Sequence, residues 1–194
     1  QLKNRMWPPG NAIHILYADS IPVCAVLERK TKKDYYGTKA LEEGNNTEAI
    51  KFFNEALNVD DKDEMIFYNF ARALYNDGQY QKADAILKKG LEINPDFEPI
   101  LMYLGNIAAF QNKSDLALEY YDRLIKVNRK YFQAYVESAK LIATSDVRKA
   151  RELLKSCLKI NPKYKPAITG LADTYRKTDP EIAEKYDKIA ATIK

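Results

Sequence analysis

The chain has little of what most active sites need. It holds one histidine and two cysteines among 194 residues. A single histidine excludes a histidine-rich metal site and most imidazole chemistry. Two cysteines cannot build a disulfide framework. Glycine (7) and proline (8) are scarce, which disfavours a loop-rich all-β chain. No apolar run approaches the ~18 residues that a membrane-spanning helix needs. There is no Gly-x-Gly for a dinucleotide, no Gly-x4-Gly-Lys-Ser/Thr, no Cys-x2-Cys and no His-Glu-x2-His. What is present is 46% hydrophobic and 30% charged, with a formal net charge of +4. That is the make-up of a soluble, globular, mostly helical chain. It points away from an enzyme, and no catalytic residue, cofactor or metal site is expected.

The charge is unevenly spread. Residues 30–139 are slightly acidic and residues 140–194 clearly basic. A solvated outer face and a docking surface for an acidic partner both fit that asymmetry. The balance is too mild to imply nucleic acid, and the excess lies away from the middle of the chain.

Periodicity carries the strongest signal. Ala49, Ala83, Ala117, Ala150 and Ala183 recur at a step of about 34 residues. So do Gly37, Ala71, Gly105, Ala139 and Ala172, and so do Asp61, Pro95, Arg129 and Pro162. The interval between the first two ladders shortens by one residue in the last two units. That places a deletion in the turns near 144–146 and 178–180, where surface connections tolerate it. Within each unit the apolar spacing is helical, as in Ile50, Phe53 and Leu57. Asn45-Asn46-Thr47, Asp77-Gly78, Asn112-Lys113-Ser114 and Ser145-Asp146 supply turn and cap chemistry. Asp179-Pro180-Glu181 reads as a helix start, and Asn94-Pro95 and Asn161-Pro162 as helix ends.

These residues resemble the tetratricopeptide repeat (TPR) family, whose unit runs W-x2-L-G-x2-Y, then A-x3-F, then P. The first unit matches at Gly37, Ala49 and Phe53. The second matches at Ala71, Leu74, Ala83 and Pro95, the third at Leu104, Gly105, Ala108, Ala117 and Tyr121. The fourth offers Tyr135, Ala139, Ala150 and Pro162. The fifth keeps Leu171, Ala172, Tyr175 and Ala183 but has Asp187 in the aromatic place, which fits a polar terminal cap. The resemblance implies an all-α fold, a right-handed α–α superhelix of about five helix pairs. The expected repeats span 30–63, 64–97, 98–131, 132–164 and 165–194.

Residues 1–29 fall outside the repeat. Met6-Trp7-Pro8-Pro9-Gly10 is turn-forming, and residues 12–17 and 21–27 are short β-rich runs. They predict a short β-hairpin, either an N-terminal cap on the array or the tail of a preceding domain. The start at Gln1, without a signal-peptide pattern, suggests a processed chain or a piece of a longer protein. The segment from Pro9 to His14 also resembles the junction before the soluble C-terminal repeats of some bacterial polytopic membrane proteins. Two functions are therefore weighed: a non-catalytic interaction module, and the soluble regulatory or scaffolding end of a larger, membrane-embedded bacterial enzyme. Cys157 takes a small-residue helix position and reads as an inert buried thiol. Cys24 falls in the expected hairpin, as does His14, which is not expected to act as a base.

In the family the resemblance points to, first helices line a concave groove that holds a peptide. Carried over position by position, that groove takes Asp34, Tyr35, Thr38 and Leu41 from the first unit. It takes Met65, Tyr68, Asn69, Arg72, Tyr75 and Asn76 from the second, and Met102, Tyr103, Asn106 and Phe110 from the third. The fourth gives Gln133, Val136, Glu137 and Lys140, the fifth Thr169, Asp173, Arg176 and Lys177. The expected contacts are Tyr35, Tyr68, Asn69, Arg72, Tyr75, Asn76, Tyr103, Asn106, Phe110 and Lys140, because Tyr and Arg are common interface anchors. The family's carboxylate clamp does not fit. Its places hold Asp34, Thr38, Asn69, Pro99 and Tyr103, of which only Asn69 matches. The expected partner is a protein or peptide, with no nucleic acid and no membrane insertion of this chain.

Overall fold

The computed structural model describes residues 21–59 and 62–193, with side-chain surroundings from residue 31 onward. All regular structure among them is helical. The chain divides into two compact units, Gln1–Ile93 and Asn94–Lys194. The first contains α1 (Ile21–Glu42), α2 (Asn46–Leu57), α3 (Glu64–Asn76) and α4 (Tyr80–Ile93). The second contains α5 (Glu98–Phe110), α6 (Ser114–Val127), α7 (Phe132–Ile142), α8 (Val147–Ile160), α9 (Lys165–Tyr175) and α10 (Pro180–Thr192).

The expected hairpin is corrected. Residues 21–27, read as its second strand, open α1, and the helix runs unbroken through the boundary drawn at 29/30. Pro22 lies in the first turn, where the missing N–H breaks no helical bond. Ala25, Leu27, Glu28, Arg29 and Lys30 then supply a run of strong helix formers. The first expected strand, residues 12–17, lies outside the described residues, as does His14.

Turn chemistry explains the period. The three earlier helix pairs close with the same motif. Gly44 and Gly78 adopt positive φ, 77° and 79°, and Asn112 does so at 58°. Behind each, a long backbone bond reaches back into the helix: Asn45 N–H to the Ala40 carbonyl (2.8 Å), Gln79 to Leu74 (2.8 Å), Lys113 to Ala108 (2.9 Å). Left-handed backbone favours Gly or Asn there. The last two pairs lack this residue. Instead Asp146 N–H bonds the Ile142 carbonyl and Asp179 N–H bonds Tyr175, each at 2.7 Å. Their carboxylates then cap the next helix, at Lys149 N (2.9 Å) and Ile182 N (3.1 Å). The missing residue of the shortened units is the left-handed one.

Links between pairs also repeat. The side chains of Asn94, Asn128 and Asn161 accept from the backbone N–H two residues on, at Asp96, Lys130 and Lys163. This Asx turn is present whether proline follows, as at Pro95 and Pro162, or arginine, as at Arg129. Proline follows only at Asn94 and Asn161, whereas the asparagine is common to all three.

Packing follows the small-residue ladders. A Cβ on Gly37 would lie 2.7 Å from the Phe53 ring, and one on Gly105 would run into the Tyr121 ring. Glycine thus stands where the facing second helix carries an aromatic ring. Ala71 suffices in the second pair, whose corresponding residue is Leu87, and both are fully buried. In unit 1, α1 packs on α2, α2 on α3 and α3 on α4, and the first helices α1 and α3 also touch. In unit 2 the chain of contacts runs from α5 to α10, and α7 touches α9.

Candidate functional site

The residues expected to line a groove are best taken one unit at a time. In unit 1, Tyr35 is exposed and sits edge-on to Tyr36 at 5.5 Å. On α3, the Arg72 guanidinium lies over the Tyr68 ring, 5.6 Å from its centroid. It also donates to the Asn69 side-chain oxygen at 3.3 Å. Asn69 itself is only 8% exposed, so its amide is oriented within the helix surface rather than held out to solvent. Tyr75 leans on Tyr80 of α4, ring centroids 4.8 Å apart. Asn76 is exposed at the helix end. Leu41, also carried over as an inner position, belongs to the core.

In unit 2, Phe110 is 74% exposed at the end of α5, and Tyr103 is half-buried. Asn106 accepts a hydrogen bond from the Tyr121 hydroxyl at 2.8 Å. That bond satisfies a buried phenol whose pKa is pushed up, first by burial and then by the nearby charge of Glu137. Lys140 is exposed and pairs with Glu137 at 2.9 Å. Met102 and Val136 are core residues.

A concavity of unit 2 lies between the first helices α7 and α9. It has a volume of about 690 Å³. Val136, Ala139, Ala143, Val147, Leu154, Pro166 and Gly170 make an apolar floor. Lys140, Asp173, Arg176 and Lys177 bring charge to the rim, and Thr144, Thr169, Thr174 and Thr178 add hydroxyls. An apolar floor with a few polar groups is the usual make-up of a binding cleft. Arg176 is braced by Asp173 (2.9 Å) and by Asp187 (3.1 Å). Arg151 holds the far wall in place: it donates to the Thr174 carbonyl at 2.6 Å and lies 3.7 Å over the Tyr175 ring.

The sequence reading placed Val136, Lys140, Thr169, Asp173, Arg176 and Lys177 on inner first-helix positions, and all six meet here. Ala143, Thr144, Val147 and Thr178 are not among those inner positions. These sit in or beside the shortened turns. The one-residue deletion was visible in the ladders, but its consequence for the wall of a cavity was not.

Reactive groups are few. Cys157 is fully buried on α8, and burial raises its thiol pKa to about 11. Such a thiol is a poor nucleophile near neutrality. Among the described residues there is no cluster of three or more His, Cys, Asp or Glu suited to a metal ion. No helix among them is long and apolar enough to cross a membrane.

Residues 40–99 match the family model described as tetratricopeptide repeat. A Drosophila melanogaster protein named as a BBSome complex member BBS4 homolog is 24% identical over 166 residues. That match takes in 78% of this chain and 34% of the relative, so the chain spans about a third of that protein's length. Among solved structures, MamA residues 41 to the end from Desulfovibrio magneticus RS-1 superimpose with a TM-score of 0.73 at 18% identity. They cover 85% of this chain and 94% of that one. YrrB, titled a TPR protein with an unusual peptide-binding site, gives a TM-score of 0.65 at 18% identity, covering 84% of each chain. These structural likenesses show the fold.

Proposed function

We propose that this chain is a tetratricopeptide repeat protein and serves as a non-catalytic interaction module that binds an extended peptide segment of a protein partner. Each unit is read as a stretch of right-handed α–α superhelix whose first helices carry the contacts. The cavity between α7 and α9 carries the reading. At about 690 Å³ it has room for one or two apolar side chains, and its rim of Lys140, Asp173, Arg176 and Lys177 can pair with the flanking backbone and charges. Tyr103, Asn106 and Phe110 extend the contact surface of unit 2. Tyr35, Tyr68, Asn69, Arg72, Tyr75 and Asn76 are the corresponding candidates of unit 1, with Asn69 positioning Arg72. The scaffold reading has further support in the repeat match and in the relative named as a member of a protein complex.

A displayed random-peptide library selected on the wild-type chain tests this. Ala143→Trp fills the cavity from its edge. The selected peptides are expected to bind that variant at least tenfold more weakly, about 1.4 kcal/mol. Unchanged binding to Ala143→Trp, together with loss on Arg72→Ala, would overturn the cavity and move the site to unit 1.

A further inference from the structure

The outward faces of the second helices show a regular pairing that one helix breaks. On α4, Lys88 pairs with Asp84 one turn earlier, at 2.7 Å. On α6, Lys126 pairs with Asp122 at 2.5 Å, and on α10 Lys188 pairs with Glu184 at 2.8 Å. Each is the favourable i,i+4 arrangement on a helix surface. Helix α8 keeps the cations and exchanges the acids. Aligned on Ala83, Ala117, Ala150 and Ala183, Arg151 stands where Asp84 and Glu184 stand, and Lys155 where Asp122 stands. Lys159 takes the place of Lys126.

Arg151 turns inward to α9. Arg148, Lys149, Lys155 and Lys159 remain exposed, and no side-chain ion pair or hydrogen bond engages them among the described residues. Arg148, Lys155 and Lys159 fall on one line down the helix, with Glu152 the only acid of α8. Lys155 and Lys159 are like charges one turn apart, which disfavours the isolated helix.

We propose that this face of α8 docks an acidic, extended polypeptide segment. The shape of the charge selects that partner. The preceding and following second helices expose acids, Glu119 and Asp122 on α6 and Glu181 and Glu184 on α10. A broad anionic surface such as a bilayer would meet those acids together with the cations. A single strand of carboxylates laid along α8 meets Arg148, Lys155 and Lys159, with Glu152 as the one acid among them. The fourteen residues of α8 span about 21 Å, the length of about six extended residues.

The test uses the full chain and a fluorescein-labelled poly-glutamate peptide, read by anisotropy. Phosphatidylserine vesicles and a single-stranded RNA serve as competitors. Lys155→Asp restores the arrangement of α6, and Lys126→Ala is the control on α6. Wild type is expected to bind poly-glutamate and to lose affinity as salt is raised. Lys155→Asp is expected to bind at least tenfold more weakly at unchanged helicity, with Lys126→Ala and Ala143→Trp unchanged. Absence of binding at low salt, equal loss in Lys126→Ala, or complete competition by vesicles or RNA at lower charge concentration would each overturn the proposal. Since Ala143→Trp alters only the cavity, failure here is separable from failure of the peptide-cavity reading.

Discussion

First and second helices of the same repeat meet different surroundings. Helix α7 buries Ala134, Tyr135, Val136, Ser138, Ala139 and Ile142, whereas α8 buries only Ala150, Leu154 and Cys157. The same holds for α3, which buries Ile66, Phe67, Asn69, Phe70, Ala71, Ala73 and Leu74, against α4, with Ala83, Leu87 and Gly90. The contacts give the reason. The first helices α3, α7 and α9 each touch their own second helix, the second helix before it and another first helix, as α7 touches α8, α6 and α9. The second helix α8 makes its main contacts with the first helices α7 and α9. First helices are therefore packed over most of their circumference, and second helices hang on a single apolar stripe. A substitution on that stripe should be costly, and one on the outer face nearly free.

Four measurements would sharpen or break that contrast, taken from the largest effect down. Tyr121→Ala removes the ring that fills the space beside Gly105. It should cost about 3–5 kcal/mol in equilibrium denaturation. A loss under about 1 kcal/mol would mean that second helices are not held by one stripe.

Gly105→Ala puts a methyl group into that same ring and should cost about 1–3 kcal/mol. Gly170→Ala meets only the flexible Leu154 side chain at 3.2 Å. There the higher helix propensity of alanine, about 1 kcal/mol, should leave stability near wild type. Equal losses at both glycines would show that the facing aromatic ring is not what demands glycine.

Third, stability should fall at alkaline pH. The Cys157 thiol is raised from its usual 9.0 to about 11 by burial. The folded state therefore holds its proton more tightly than the unfolded state. Its contribution is complete below about pH 9 and is lost as pH rises towards 11. Cys157→Ala should flatten that part of a stability–pH curve. An unchanged slope would leave the buried Tyr121 phenol, also shifted upward, as the titrating group. At the bottom of the scale, Lys126→Ala breaks an exposed i,i+4 pair and should change stability by less than about 0.5 kcal/mol.

The expected contacts illustrate how far a sequence reaches. Tyr68, Arg72, Phe110 and Lys140 do stand on first helices, because a 3.6-residue period fixes which side chains share a face. The period does not say which faces the neighbours cover. Asn69 falls just inside that boundary, and Met102, read the same way, is buried. Asn106 is engaged by a hydroxyl from the next helix. The expected strand at 21–27 failed for a related reason. A short apolar run with β-branched residues fits either state locally, and proline is as acceptable in a first helical turn as at a sheet edge.

The sequence alone determined the repeat length, the helix pairs, the small residues between them and the deletion in the last two units. Those are local or strictly periodic properties, written in turn chemistry and side-chain size. The tertiary structure decided that a cavity opens between α7 and α9, that Arg151 folds inward while its neighbours on α8 stay exposed, and that Tyr121 takes Asn106 as its partner. Each depends on side chains brought together from different helices, at distances that no single helix period encodes.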